Sequence, residues 1–328
     1  MRPQLWKLSA LLLGVLLLPL LDAGVARADA IKIGHSTWVG YGPLYIAREK
    51  GFFKAHGVDV ELIKVEKPTD RFPAMIAGKI DMIASTVDTA LLYMKKPDEF
   101  QYVVAIDDSN GGDGIVATKD IKTVADLKGK KVAFAQGSVS QFYLDVLLGK
   151  AGIKESDLNA IDMGPGDAGT AFVAGKVDAA VTWEPHLTKG KQSPNGHLLT
   201  DSSQTPGLIT DVLIANTDWV AKHKIEVKAV VAAWNEAVAY YVAHPDESIA
   251  IMAKGVGGFL EDPKEFKETL TGIKFYGGAE NKTFFGTKDK PGALTQTVKQ
   301  AIDIWTEHGK LQVKTTPELL IDYEFVNG

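Results

Sequence analysis

The sequence predicts an α/β protein of two lobes, each built on a mostly parallel sheet flanked by helices, with a cleft and a two-strand hinge between them. Short apolar strand patterns alternate with helix patterns along the chain, and this order favours parallel sheets covered by helices. The segment Ala77–Asp81 (Ala-Gly-Lys-Ile-Asp) recurs as Ala174–Asp178 (Ala-Gly-Lys-Val-Asp), in each case after a helix pattern and before a strand pattern. A chain of 328 residues, 45% of them hydrophobic, is long enough for two medium-sized domains.

The overall composition excludes several classes of protein. The formal net charge of -5 argues against a general nucleic-acid binder, which needs a basic surface. The chain has no cysteine, which excludes disulfides, thiolate metal sites, cysteine nucleophiles and a lipid on an N-terminal cysteine. The histidines are scattered, Gly40-Tyr41-Gly42 lacks the third glycine of a dinucleotide-binding loop, and no Gly-Lys-Ser/Thr phosphate loop occurs. We therefore expect no cofactor, no metal and no catalytic residues.

The N-terminal segment has the three parts of a secretory signal peptide. Arg2 and Lys7 precede an apolar run over residues 8–21, and Ala26-Arg27-Ala28 supplies a small-x-small cleavage site. The apolar run is shorter than the roughly 20 residues that span a bilayer. We predict that residues 1–28 are removed, with cleavage after Ala28 or Ala30. Because no cysteine is available for a lipid anchor, we expect the product in the periplasm of a bacterium with two membranes.

Strand and helix patterns alternate through the first half of the mature chain. Strands are predicted at 31–33, 58–63 and 82–84, and helices at 43–51 and 71–77. Pro43 follows the glycine-rich loop 34–42 at a position where the first turn of a helix tolerates proline. Residues 58–63 have the period-two pattern of a strand.

The second half repeats this order before the chain becomes mainly helical. Strands are predicted at 131–135 and 179–181, with helices at 141–150 and up to 174. A short apolar strand at 212–216 then precedes strong helix patterns at 227–242 and 292–308. The simplest closure returns the chain to the first lobe, so that lobe 1 comprises residues 29–116 and 213–328, and lobe 2 comprises residues 117–212. The cleft between two hinged lobes is the natural ligand site.

Four segments of the mature chain carry a family resemblance. They are Tyr41–Phe53 (Tyr-Gly-Pro-Leu-Tyr-Ile-Ala-Arg-Glu-Lys-Gly-Phe-Phe), Ala77–Asp81, Asp126–Val132 (Asp-Leu-Lys-Gly-Lys-Lys-Val) and Trp183-Glu184-Pro185. In this order and spacing the chain resembles the periplasmic substrate-binding component of the nitrate/taurine/sulfonate class of ABC importers. The resemblance implies a bilobal periplasmic-binding-protein fold of type II, ligand capture by lobe closure, and delivery to an ABC permease in the inner membrane. It does not imply one particular ligand.

Candidate ligand contacts follow from the places where predicted strands end. Ligands of doubly wound sheets lie beyond the carboxyl ends of the strands, where helix N-termini favour anions. Several candidates also have structural alternatives, because Ser85, Thr86 and Ser138 are suited to cap helices, Trp183 to lie in the core, and Glu184 to brace the hinge. The candidates are Trp38, Tyr41, Ser85, Thr86, Asp108, Gln136, Ser138, Ser140, Trp183, Glu184 and Asp211.

These residues predict an aromatic and acidic site. No arginine falls at the selected loop positions, since Arg48 and Arg71 lie further into their predicted elements. Aromatic faces beside carboxylates suit an ammonium or guanidinium group, whereas helix N-termini suit an anion. A zwitterion such as taurine satisfies both, and a small cationic nitrogen compound is the alternative.

The expected protein is a monomeric periplasmic receptor that feeds an ABC importer and does not bind nucleic acid. Its solute would be a small zwitterionic or anionic organic compound of the taurine or alkanesulfonate kind. A ligand-sensing subunit of a membrane receptor would bind its ligand equally well, and an enzyme built on the same fold would show turnover.

Overall fold

A computed structural model describes residues 29–257 and 261–327. Its strands are Ile31–His35 (β1), Val60–Lys64 (β2), Met82–Thr86 (β3), Phe100–Ser109 (β4), Asp113–Thr118 (β5), Lys131–Phe134 (β6), Asn159–Asp162 (β7), Ala179–Trp183 (β8), Gly196–Asp201 (β9), Thr210–Asn216 (β10) and Ile273–Phe275 (β11). The predicted signal peptide, residues 1–28, lies outside the described residues.

Helices connect these strands and make up most of the C-terminal third. They are Gly42–Glu49 (α1), Phe52–Ala55 (α2), Pro68–Ile76 (α3), Val87–Tyr93 (α4), Val139–Lys150 (α5), Pro165–Val173 (α6), His186–Lys191 (α7), Thr217–Lys222 (α8), Lys224–Ala243 (α9), Pro245–Val256 (α10), Pro263–Thr269 (α11), Gly278–Phe285 (α12), Ala293–Glu307 (α13), Pro317–Leu320 (α14) and Glu324–Asn327 (α15). Each strand and helix predicted from the sequence falls on one of these elements.

The first sheet has six strands in the order β11-β4-β10-β3-β1-β2. Strands β2 and β3 run parallel to β1, whereas β10 runs antiparallel to both β3 and β4. All five residues of β3 are buried, as expected for a strand in the interior of a sheet covered on both faces.

The second sheet has five strands in the order β7-β6-β8-β5-β9. Strands β7 and β8 run parallel to β6, and β5 runs antiparallel to its neighbours β8 and β9. The predicted class, two α/β sheets flanked by helices, is confirmed. Four strands of each sheet share one direction, while β10 and β11 in the first sheet and β5 in the second run against them, so both sheets are mixed.

The chain passes between the two sheets twice. It leaves the first sheet after Ser109 and enters the second at Asp113, and it returns between Asp201 and Thr210. These connections lie within a few residues of the boundaries predicted at 116/117 and 212/213, although residues 113–116 pair in the second sheet and residues 210–212 in the first. The division into lobes remains a prediction, and the two connections are where a hinge between them would lie.

The helix α13 illustrates how the C-terminal third packs against earlier helices of the chain. Its buried residues Leu294, Val298, Ala301 and Trp305 recur at intervals of three and four, so they form one apolar face. The indole of Trp305 donates to the main-chain carbonyl of Asp88 in α4, 2.9 Å away, and its ring lies 5.2 Å from that of Phe142 in α5. In the part of the chain that the structure describes, no helix combines the length and apolarity needed to cross a bilayer.

Candidate functional site

A cavity of about 30 Å³ lies between the two sheets. It is reached by the ends of the parallel strands β1, β3, β6 and β8, where a doubly wound sheet holds its ligand. The walls combine hydroxyl, aromatic and charged side chains from both sheets. They are formed by Ser36, Trp38, Tyr41, Pro68, Arg71, Ser85, Thr86, Thr89, Asp113, Ser138, Val139, Trp183 and Asp211.

Helix N-termini converge on this cavity. The wall includes Pro68 in the first turn of α3, Thr86 at the N-cap of α4 and Ser138 at the N-cap of α5. The Ser138 hydroxyl oxygen accepts a hydrogen bond from the Ser140 main-chain N–H at 3.2 Å, which caps the longest of the three helices. Because the first N–H groups of a helix lack partners within it, this arrangement favours an anionic group in the cavity.

Arg71 places a buried guanidinium in the wall. It is 3% exposed, and its Nη1 donates to the main-chain carbonyls of Val65 at 2.6 Å and Glu66 at 3.3 Å. Its Nη2 lies 3.5 Å from the hydroxyl oxygen of Ser85, and its Nε has no hydrogen-bond partner. Burial lowers the pKa of Arg71 from its ordinary value, with Tyr41 and nearby carboxylates opposing that change. A buried cationic donor with an unused N–H can bind an anionic oxygen.

The cavity wall also has carboxyl groups that can carry negative charge opposite Arg71. The first is Asp211, near the start of β10. Its Oδ1 accepts a hydrogen bond from the Tyr41 hydroxyl at 2.5 Å. Burial raises the pKa of Asp211 to about 7, although the Tyr41 hydrogen bond and the charge of Arg71 both act to lower it. Burial, followed by the charge of Asp211, raises the pKa of Tyr41 well above its usual value, so the phenol remains the proton donor.

A second carboxyl, that of Asp113, lines the cavity from the first residue of β5. Asp113 is 5% exposed, and burial raises its pKa well above the ordinary value. A hydrogen bond with Ser109 lowers the pKa, while the carboxylates of Asp211, Asp88 and Glu184 raise it. Two buried carboxyls therefore share a cavity with one arginine, an arrangement that favours a cationic group between them.

Three aromatic rings complete the wall and are almost fully buried. Trp38 and Tyr41 follow β1 in the glycine-rich segment, and Trp183 ends β8 in the other sheet. The Trp183 indole N–H donates to the main-chain carbonyl of Thr37 at 2.7 Å, which joins the two sides of the cavity. A second connection runs from the Tyr93 hydroxyl to the carbonyl of Gly137 at 2.9 Å. The structure thus has the two sides in contact beside the cavity.

His35 lies behind the cavity wall and adds no positive charge to it. Its Nδ1 lies 2.8 Å from the carbonyl of Ser36, so this nitrogen carries the proton, and Nε2 can accept from the Tyr45 hydroxyl at 3.2 Å. Burial lowers the pKa of His35 to about 4. The imidazole is therefore neutral at neutral pH, and Arg71 is the cation among the described residues that line the cavity.

The structure brings together most of the residues predicted for the site. Those found in the cavity wall are Trp38, Tyr41, Ser85, Thr86, Ser138, Trp183 and Asp211. Ser138 also caps α5, so its capping role and its place in the wall coexist.

Four predicted residues lie outside the cavity wall. Glu184 turns away because its carboxylate accepts hydrogen bonds from Thr188 N–H at 3.0 Å and from Lys191 Nζ at 3.0 Å, which fixes it on α7. Gln136 is exposed, and Ser140 is buried one residue beyond the start of α5. Asp108 faces Thr210, whose hydroxyl lies 3.4 Å from its Oδ1. These four are not included in the site proposed below.

Arg71 corrects the expectation that no arginine reaches the site. The sequence pattern placed the start of this helix at residue 71, but α3 begins at Pro68, so Arg71 lies in the first turn, near the strand ends. The proline itself was the available signal, because proline is favoured at the first helical position. Ser36, Thr89 and Asp113 also join the wall. No group of three or more metal-binding side chains occurs within residues 29–257 and 261–327.

The arrangement defines the class of protein: an α/β protein with two sheets, two chain connections between them and a small cavity with polar walls at their meeting point. Solved structures with this fold include the periplasmic aliphatic sulphonate binding protein SsuA from Escherichia coli, with a TM-score of 0.72 and 21% identity over 92% of this chain and 99% of that one. The periplasmic nitrate-binding protein NrtA from Synechocystis PCC 6803 has a TM-score of 0.68 and 16% identity, over 88% of this chain and 86% of that one. The periplasmic-binding-protein fold expected from the sequence is confirmed.

Sequence comparisons give the family. The family model described as NMT1/THI5 like matches residues 38–248, and the chain belongs to that family. A protein of Brucella abortus named as a binding protein is 30% identical over 91% of this chain and 93% of its own length. A protein of Escherichia coli named for binding aliphatic sulfonates is 28% identical over 72% of this chain and 74% of its own. The resemblance to the nitrate and sulfonate group of substrate-binding proteins is thereby confirmed.

The family also includes an enzyme. The 4-amino-5-hydroxymethyl-2-methylpyrimidine phosphate synthase of Saccharomyces cerevisiae is 26% identical over 62% of this chain and 64% of its own length. Family membership therefore does not distinguish a receptor from an enzyme, and the residues of the site must be used for that distinction.

Proposed function

We propose that this protein is a periplasmic receptor for a small zwitterion that carries an anionic group and an ammonium group, delivered to an ABC permease of the inner membrane. A compact aminosulfonate such as taurine has this chemistry. We take the receptor to be a monomer of two lobes. One lobe comprises residues 29–116 and 213–328, and the other comprises residues 117–212. The lobe boundaries are moved slightly to match the connections at 109–113 and 201–210.

The observation that carries the proposal is the presence of both charges in one small cavity. The unused Nε of Arg71 and the helix N-termini at Pro68, Thr86 and Ser138 can hold an anionic oxygen. The carboxyls of Asp113 and Asp211 can hold an ammonium group, with the nearby aromatic faces adding cation–π attraction. The small size of the cavity favours a compact solute in which the two charges are close.

The names of similar proteins support the anionic half of this ligand. Proteins named for aliphatic sulfonates and for nitrate share the family or the fold with this chain. The ammonium half is supported by the two carboxyls and the aromatic faces beside them, and by no name among the similar proteins. A second candidate ligand is a small cation without an anionic group, which the excess of carboxyls over arginine in the wall favours.

A binding role without catalysis is supported by the chemistry of the cavity wall. Its serine and threonine hydroxyls have no histidine beside them among the described residues that line the cavity, and its carboxyls, Asp113 and Asp211, are the groups assigned above to the ammonium group. The nearest imidazole, His35, is engaged with Ser36 and Tyr45. The indole of Trp183 and the phenol of Tyr93 hold the two sides together, so ligand entry requires the sides to separate.

The test is titration calorimetry of the mature protein with three matched compounds: taurine, ethanesulfonate and ethylamine. Ethanesulfonate lacks the ammonium group and ethylamine lacks the anion, so the series separates the two halves of the site. We expect taurine to bind at least tenfold more tightly than either, since each lost charge-assisted contact costs about 1.5–3 kcal/mol. Binding of ethylamine alone would replace the proposal with the cationic ligand. Release of a chemically changed product from any ligand would show an enzyme.

A further inference from the structure

The structure assigns a positioning role to Asp107, a residue outside the cavity wall: it holds the ring of Trp38 against the ligand, and Gly112 in the first connection between the sheets supports the other edge of that ring. The inference rests on the proposed function, because that proposal is what makes Trp38 a residue that contacts the ligand. Its geometry involves three positions that the chain brings together from β4, the segment after β1 and the connection to β5.

The first contact fixes the polar edge of the indole. Trp38 Nε1 donates toward both carboxyl oxygens of Asp107, at 3.1 Å to Oδ2 and 3.3 Å to Oδ1. Asp107 is fully buried in β4, and burial raises its pKa well above the usual value. Because the Trp38 N–H donates toward both oxygens of this buried carboxyl, the carboxyl has a defined orientation and can fix the orientation of the indole in turn.

The second contact fixes the backbone beside this pair. A Cβ added to Gly40 would lie 2.2 Å from Asp107 Oδ2 and 2.2 Å from Trp38 Nε1. No side chain fits at that distance, so the main chain at residue 40 packs directly on the hydrogen bond. The loop after β1 therefore approaches β4 only because residue 40 is glycine.

The third contact links the ring to the connection between the sheets. A Cβ added to Gly112 would lie 2.6 Å from Trp38 Cη2, at the far end of the indole. The carbonyl of Gly112 accepts a hydrogen bond from the Glu184 N–H at 2.8 Å, next to Trp183 on the opposite wall. The indole thus lies between Asp107 and the segment that must move if the two sides separate. Trp38 would then respond both to the ligand and to closure.

The test uses protein labelled with 5-fluorotryptophan, with the Trp38 fluorine resonance assigned by its loss in Trp38→Phe. We expect Asp107→Leu to shift that resonance in the unliganded protein and to weaken taurine binding roughly tenfold, the worth of one buried hydrogen bond. Asp107→Asn retains an acceptor oxygen of the same shape, so it should keep the resonance near its original position and the affinity within about threefold. Recovery of the resonance and the affinity in Asp107→Asn would distinguish a positioning role of Asp107 from a general loss of packing in Asp107→Leu.

A second variant addresses the other edge of the ring and does not depend on the folding of Asp107→Leu. Gly112→Ala should displace the indole and weaken taurine binding, although residue 112 does not line the cavity. Gly149→Ala is the matched control, because a Cβ at residue 149 meets no atom within 4 Å. An unchanged Trp38 resonance in Asp107→Leu, or in Gly112→Ala if the former does not fold, would overturn the inference. If taurine fails to bind the unmodified protein, the proposed function fails, while the fluorine shift still decides the positioning role.

Discussion

Binding of an ammonium-bearing ligand should release protons from the cavity carboxyls. Asp211 has a pKa of about 7, so it is close to half protonated at pH 7, and the pKa of Asp113 is raised well above its ordinary value. An ammonium group placed between them stabilises the charged carboxylates and expels these protons. At pH 7 we expect release of about half a proton from Asp211 and further release from Asp113.

The groups around the two carboxyls determine this expectation. Both carboxyls are buried, and Arg71 is the only cation that the described cavity wall places beside them. Asp211 is faced by Tyr41, Arg71, Asp107 and Asp108, and Asp113 by Ser109, Asp88, Glu184 and Asp211. Since anionic neighbours outnumber the one cation, the unliganded site is expected to hold protons that a cationic ligand replaces.

The assay is calorimetric titration at pH 7 in buffers that differ in ionisation enthalpy. The slope of the observed enthalpy against that ionisation enthalpy gives the number of protons released. Taurine should give a slope of at least about one half, the share expected from Asp211, while ethanesulfonate, which carries no ammonium group, should release no protons. Asp113→Asn should reduce the release with taurine. A taurine enthalpy that is the same in every buffer at pH 7 would refute the reasoning while leaving the binding itself established.

Three further predictions concern single groups. Arg71→Gln should weaken sulfonate binding by about 2 kcal/mol, roughly thirtyfold, because a charged donor in a buried site is lost; calorimetry measures it. Trp183→Phe removes the N–H that reaches the Thr37 carbonyl, so the ligand should dissociate several-fold faster in stopped-flow experiments. The unfolding free energy of the unliganded protein should rise as pH falls from about 8 to 5. Burial raises the pKa values of Asp88 and Asp211 to about 7, so these groups take up protons in the folded state before they do so in the unfolded chain. Urea denaturation at several pH values measures this change.

Each of these predictions has an outcome that contradicts it. Equal weakening of ethanesulfonate and ethylamine by Arg71→Gln would assign the loss to the fold, because Arg71 also donates to two main-chain carbonyls. A dissociation rate unchanged by Trp183→Phe would mean that the indole hydrogen bond does not limit opening. An unfolding free energy that falls on acidification from pH 8 to 5 would mean that the buried carboxyls are charged in the folded state.

The fold could be predicted from the sequence because its signals are local. Strands such as β1 and β8 are short apolar runs bounded by glycine or polar residues, and α13 has one continuous apolar face. The mixed direction of the sheets could not be predicted in this way. Whether β10 runs parallel or antiparallel to β3 depends on how the chain returns after residue 201, which no local pattern specifies.

The site was predictable mainly where a side chain lies at or shortly after the end of a strand. Trp38, Ser85 and Trp183 satisfy that rule and lie in the wall. In β4 the rule fails, because its residues are buried on both faces and the pattern does not distinguish Asp107 from Asp108. The pairing of β4 with β10 is also shifted within the ladder, next to Asp211.

Other misses have a different cause. Glu184 ends the same strand pattern as Trp183, but a helix with an unpaired N–H at Thr188 and a cation at Lys191 binds its carboxylate first. Competition between a ligand and a nearby helix for one side chain is decided by geometry that the sequence does not contain.

The position of β10 in the first sheet also constrains how the chain can fold as it is made. Strand β10 lies between β3 and β4 and pairs with both, so residues 82–109 have no completed sheet until residue 216 is available. An N-terminal fragment of the chain therefore lacks an interior strand of its own first sheet. Contacts between residues so far apart in sequence form slowly. Export directed by the predicted signal peptide would be compatible with this order, because residues 82–109 gain their shared neighbour only after residue 216 has followed.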